Sequence, residues 1–221
     1  MPAEFAAVWQ RWRELFPEYE FRTWREADLR KLGMPNYLWS ARTYAEQSDI
    51  ARLRIVNRCG GIYTDCDCEP LVRFDDLWTG DDRLVVFEAP GHEILTGLIA
   101  ASPGSLDFVE AFIERNVRRH SPDAAPNVRT GPYAVNAALD YMASAAATGM
   151  RGLRRYPPSF VDLRGGEPFA VVRTRFKDPP EWMRVPEPAR PASTAPFRDA
   201  LFDARLLPTR IRRRLWAARE H

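Results

Sequence analysis

Two adjacent glycines, Gly60 and Gly61, constrain this chain more than any other feature. Ahead of them Ile50, Leu53, Ile55 and Val56 recur at helical spacing. Ser48 reads as the N-cap of that helix, and Asp49 falls in its first turn, where negative charge suits the helix dipole. Gly60-Gly61 stops the helix. Ile62-Tyr63-Thr64 then forms a short buried strand, with Asp65-Cys66-Asp67 at its end. Helices and strands alternate along the chain, which makes α/β the natural class. Residues i and i+2 of a strand share a side, so a straight continuation aims Asp65 and Asp67 together. Acidic pairs after a strand are also common as solvated turn residues, and the pair alone leaves both readings open.

The remaining chain supports the same class. Phe5, Val8, Trp9, Trp12, Leu15 and Phe16 predict an amphipathic helix over 4–16, closed by Pro17. Tyr19 to Trp24 alternates and is rich in aromatics, so it predicts a strand. A short helix follows from Glu26 to Leu32, ended by Gly33. Leu84-Val85-Val86-Phe87 predicts a second strand, Ser105 caps a helix through Phe108, Phe112 and Ile113, and Pro132 to Met142 predicts another. After about Met150 prolines break up regular structure. The expected organisation is a domain over 1–178, a Pro-rich linker over 179–196 and a basic helix over 197–221.

Composition excludes several function classes. The formal net charge of +2 is too small for a concentrated nucleic-acid-binding face. No apolar run approaches the roughly 20 residues of a membrane-spanning helix, and no signal peptide is expected at Met1-Pro2-Ala3-Glu4-Phe5. Cys59, Cys66 and Cys68 are too few and too close for a disulfide framework. No second Cys/His pair completes a zinc site, so reduced thiols at a strand end are expected, in a cytoplasmic setting.

The chemistry gathers at the acidic pair. Hard carboxylate oxygens suit Mg²⁺ or Mn²⁺, ions that bind few protein carboxylates plus substrate phosphates. Ligands of α/β sheets bind beyond the carboxyl ends of strands. Asp49 and Arg52 share one helix face. They read either as a surface ion pair or, beside Asp65 and Asp67, as a clamp for sugar hydroxyls through charge-assisted hydrogen bonds.

The segment Ser48-Asp49-Ile50-Ala51-Arg52 … Gly60-Gly61-Ile62-Tyr63-Thr64-Asp65-Cys66-Asp67 resembles the DXD sugar-binding glycosyltransferases. That family includes fungal initiating mannosyltransferases, bacterial capsule enzymes and, more distantly, the glucosyltransferase domains of clostridial toxins. Its pattern is Ser-Asp, an Arg three residues after that Asp, then Gly-Gly-x-Tyr-x-Asp-x-Asp, and every position is met. Pro17-Glu18-Tyr19 … Trp24 upstream and Thr130-Gly131-Pro132 downstream are similar to further family segments, so the resemblance spans roughly 2–160.

The resemblance implies a GT-A-like fold with a mixed central sheet, and Asp65 and Asp67 as the catalytic pair. It further implies that Asp49 and Arg52 contact donor-sugar hydroxyls, that Tyr63 lines the donor pocket, and that Gly97 and Gly131 border it. Asp67 would ligate Mn²⁺ or Mg²⁺ directly, and Asp65 would hold ribose or sugar and the metal's water shell. The implied reaction moves a sugar from a UDP- or GDP-sugar to a carbohydrate, lipid-linked or protein acceptor, with retention. Related sequences begin with an apolar strand upstream of the first helix, so a sheet without that strand is expected here. Thr96-Gly97 stands where relatives place asparagine before glycine, and His92, His120 and His221 do not match the family's late histidine motif; Trp182 is the nearest candidate for its tryptophan. Arg210 and Arg212 to Arg214 beside Ile211, Leu215 and Trp216 suggest weak contact with an anionic membrane surface, at the inner face of the membrane.

Two alternatives fit the same acidic pair. Haloacid-dehalogenase-like phosphatases also present Asp-x-Asp after a strand, but Gly60-Gly61-Ile62-Tyr63-Thr64 is a poor strand of that kind and no small hydroxyl follows Asp67. A degenerate domain could bind nucleotide-sugar or a partner without turnover.

Overall fold

The computed structural model describes residues 3–39, 41, 43–78, 82–89, 93–121, 123–145, 152–162 and 170–174. The expected linker over 179–196 and basic helix over 197–221 lie outside the described residues, as do His92, Trp182 and His221.

The chain is a mixed α/β structure, and its two sheets contain both parallel and antiparallel pairs. The larger sheet has the order β1 (Gly61–Thr64), β4 (Glu93–Ala101), β3 (Leu84–Ala89), β5 (Leu153–Tyr156). β4 runs antiparallel to both β1 and β3, and β5 joins β3 in parallel. A smaller sheet orders β2 (Cys68–Pro70), β7 (Val172–Thr174), β6 (Val161–Asp162). A mixed sheet of this kind is compatible with a GT-A-like fold.

The larger sheet divides two cores because side chains alternate across a strand. Leu84, Val86, Ile99 and Ala101 face one core, shared with α4 (Tyr44–Cys59), α5 (Asp107–Arg119) and α7 (Pro132–Ala145). Val85, Phe87, Leu98 and Ala100 face the other, with Val8, Trp12 and Phe16 of the α1 (Ala3–Leu15) region and Val172 of β7. Trp12 Nε1 donates to the Cys68 carbonyl at 2.8 Å, which ties α1 to β2.

Three expectations are corrected. Tyr19 to Trp24 is not a strand, because its rings pack singly instead of joining a ladder. Tyr19 meets Phe16 edge-on at 5.6 Å, Phe21 meets Trp9 at 5.5 Å, and Arg22 stacks over Trp24 at 3.9 Å. Helix α4 starts a turn earlier than Ser48: Thr43 is the N-cap, its hydroxyl accepting from the Glu46 amide at 3.2 Å, and Tyr44 to Gln47 contains no breaker. Helix α5 is not capped by Ser105. The Asn57 side chain reaches across from α4 to accept the Leu106 amide at 2.9 Å.

Strand β4, central in the larger sheet, was not anticipated. Ile94, Leu98, Ile99, Ala100 and Ala101 are buried on both faces, so the segment lacks the alternation that marks a half-exposed strand. Gly97 interrupts its apolar run.

Candidate functional site

Helix α4 ends at Gly60, whose amide bonds the Val56 carbonyl at 2.8 Å with φ of +71°. A Cβ there would lie 2.8 Å from Pro103 Cδ, so both conformation and space call for glycine. The return sets β1 beside α4, and the acidic pair follows directly. Asp65 still belongs to the sheet, since its amide donates to the Gly97 carbonyl at 2.8 Å. Its own carbonyl accepts the Cys68 amide at 3.1 Å, closing a four-residue turn over Asp65-Cys66-Asp67-Cys68. The two aspartates are therefore brought together by a turn and not by the alternation of a straight strand.

Arg52 is the centre of the cluster, with a side chain only 10% exposed. Its Nη1 donates to Asp65 Oδ2 at 3.2 Å and to Thr96 Oγ1 at 3.1 Å. Nη2 donates to Ser48 Oγ at 2.9 Å and pairs with Asp49 Oδ1 at 3.4 Å, while Nε donates to the Ser48 carbonyl at 3.3 Å. Four hydrogen bonds thus hold the guanidinium within the protein, and Asp49 adds an ion pair. Tyr63 lies 5.5 Å beneath the guanidinium, and its hydroxyl donates to Asp65 Oδ1 at 2.7 Å. Both oxygens of Asp65 are held.

The two glycines of the expected pocket make room for these carboxylates. A Cβ on Gly97 would stand 2.8 Å from Asp65 Oδ2 and 3.2 Å from Cys68 Sγ. A Cβ on Gly131 would stand 3.0 Å from Asp49 Oδ2. That same oxygen accepts the Thr130 hydroxyl at 3.0 Å. Asp49, Arg52, Tyr63, Asp65, Gly97 and Gly131 therefore share one cluster, and Asp67 adjoins it two residues after Asp65 in the turn.

Asp67 Oδ2 is buried and has no hydrogen-bond partner among the described residues. Burial and then the nearby Asp65 charge push the Asp67 carboxyl above the usual range. Burial likewise raises Asp49, to about 6, against the opposing pull of Arg52 and Thr130. Burial disfavours the Arg52 cation, but Asp65 and Asp49 outweigh it and the guanidinium stays charged. Cys66 is exposed and Cys68 buried, and burial raises both thiols, so neither is activated as a nucleophile.

The donor set fits a hard divalent cation. Asp67 offers an orphaned carboxylate oxygen beside a second carboxylate. Among the described residues no group of three or more His, Cys, Asp or Glu side chains gathers as an all-protein cage. Few protein oxygens plus substrate phosphates is the usual arrangement for Mg²⁺.

Sequence reasoning did not assign Ser48, Thr96 or Thr130 to the site. Ser48 looked like a cap, and its role depends on the helix beginning earlier. Thr96 and Thr130 lie 44 and 81 residues from their partners, separations that no local pattern encodes.

A search of curated proteins finds no match to the chain. Residues 2–84 match the family model described as the glycosyltransferase sugar-binding region containing DXD motif. The match runs from the start of α1 to the first residue of β3 and includes Asp49, Arg52, Tyr63, Asp65 and Asp67. Over residues 2–84 the chain is therefore similar to the glycosyltransferase sugar-binding region of the DXD type.

Proposed function

We propose that the chain is a metal-dependent glycosyltransferase that moves a sugar, with retention, from a UDP- or GDP-sugar to an acceptor. The observation that carries this reading is the contrast between the two aspartates. Asp65 is held on both oxygens, whereas Asp67 keeps a buried oxygen without a partner. A buried, unpaired carboxylate oxygen is costly, and a coordinated cation removes that cost.

In this reading Asp67 holds Mn²⁺ or Mg²⁺ directly and Asp65 orients ribose or sugar and the water shell. A cation held there would supply positive charge against a diphosphate leaving group. Arg52 fixes Asp65 in place. With four hydrogen bonds already made, Arg52 meets a sugar hydroxyl at the Nη2 edge facing Asp49, where the 3.4 Å approach is an ion pair and not a hydrogen bond. Asp49 offers an acceptor to a second hydroxyl, and Tyr63 forms a wall of the donor pocket.

Thermal unfolding with UDP-glucose or GDP-mannose, with and without MnCl₂, tests the proposal. A donor at about 100-fold over its Kd contributes about 2.7 kcal/mol. For a domain of this size that raises Tm by roughly 5–10 °C. The shift is expected to require Mn²⁺ or Mg²⁺ and to vanish in Asp67→Ala. No shift with any nucleotide-sugar under either metal sinks the reading. Metal-dependent binding without donor hydrolysis or transfer identifies a binding domain instead of an enzyme.

A further inference from the structure

Glu46 and Arg129 form a buried ion pair that the donor-site reading does not use; their side chains are 2% and 7% exposed. Glu46 stands three residues before Asp49 on α4, hence on nearly the same helix face. Arg129 stands immediately before Thr130 and ends α6 (Pro126–Arg129). At four residues, α6 is too short to hold its own shape. It is pinned from two sides. Asn116 of α5, 1% exposed, donates Nδ2 to the carbonyls of Val128 at 2.7 Å and Arg129 at 3.0 Å. Glu46 holds the Arg129 side chain from α4.

What this short helix carries to the site is Thr130, which bonds Asp49, and Gly131, which leaves room for the same carboxylate. The pair is not arranged for stability alone. Arg129 Nε is buried with no partner among the described residues, and buried ion pairs often contribute no more than an apolar replacement. We propose that Glu46, Arg129 and Asn116 are positioning residues that set the Thr130–Asp49 hydrogen bond and so orient the Asp49 carboxylate. Its importance for donor binding rests on the function proposed above; the geometric claim stands apart from it.

A double-mutant cycle on the full chain separates positioning from simple support. Without ligand, the Asp49 carboxyl is titrated by NMR in the parent, Glu46→Asp, Thr130→Val and the double variant. Glu46→Asp shortens the reach to Arg129 but keeps the negative charge, which by itself raises the Asp49 carboxyl. Losing the Thr130 donor removes a hydrogen bond that favours the charged form, so Thr130→Val moves the midpoint upward by about half a unit or more. Glu46→Asp is expected to move it the same way, and the double variant to move no further than Thr130→Val alone. Independent, additive shifts, or an unmoved midpoint in Glu46→Asp, overturn the proposal. Should Glu46→Asp not fold, Arg129→Lys, which keeps the charge, runs the same cycle with the same criteria. A second arm reads the Tm shift with UDP-glucose and MnCl₂, where Glu46→Asp is expected to lose most of the parent's response. A Glu46→Asp variant that responds as fully as the parent contradicts positioning. A parent with no response, alongside a coupled titration, removes the donor reading and leaves the positioning geometry in place.

Discussion

At Arg52 a single side chain links three elements, because each edge of its planar fork meets a different partner. A lysine presents three donors from one point and cannot span Ser48, Asp49, Asp65 and Thr96 together. Arg52→Lys is therefore expected to lose the nucleotide-sugar Tm shift almost as fully as Arg52→Ala; retention of the parent's shift in the lysine variant contradicts the role given to the fork. Asp49 supplies a pH test. Its folded-state pKa of about 6 lies above the ordinary value of 3.8, so its ionisation works against folding. The stability associated with its protonated form is complete below 3.8 and is lost as pH rises through about 6. Relative to Asp49→Asn, the parent is expected to gain stability as pH falls from 7 to 4. Chemical denaturation of both proteins across that range checks the sign, and a constant difference refutes it.

Among the elements, α4 and β4 show what could be read in advance and what could not. The spacing of Asp49 and Arg52, the glycine stop and the strand before Asp65 are local, and the structure brings Asp49, Arg52, Tyr63 and Asp65 into one cluster. The start of α4 was missed because Ser48 and Thr43 both satisfy the chemistry of a cap, and only the Thr43 geometry distinguishes them. The cap of α5 was missed because it comes from Asn57, 49 residues away. Asn57 also donates to Asp107 and Glu110, both at 2.9 Å, so Asn57→Ala is expected to cost about 2 kcal/mol or more in denaturant unfolding. Strand β4 was hidden by Gly97, yet this residue gives the sheet its notch for Asp65. Gly97→Ala keeps an ordinary strand conformation but drives a methyl onto a carboxylate held at both oxygens. It is expected to abolish metal-dependent donor binding while far-UV circular dichroism stays unchanged; normal binding contradicts the notch.

Across the whole molecule, the sheet separates a helical core from one shared with α1 and the smaller sheet. Phe87 is 1% exposed and stacks on Tyr156 at 5.3 Å on the α1 side, away from the Arg52 cluster's core. Phe87→Ala is expected to cost about 3–5 kcal/mol. A loss under 1 kcal/mol in denaturant unfolding would show that this second core contributes little. The division into two cores was only partly visible beforehand: Val8, Trp12 and Phe16 announced an apolar helix face, but nothing local said which side of a sheet it covers. From Glu46 to Cys68 the chain also acts as a ruler. Each residue added within α4 rotates everything on one side of it by about 100°. One added or removed in β1 exchanges the faces of the strand and brings a different residue opposite Gly97. This stretch can vary in letters but not in length, so an insertion–deletion scan should find a gap there even where substitutions are accepted.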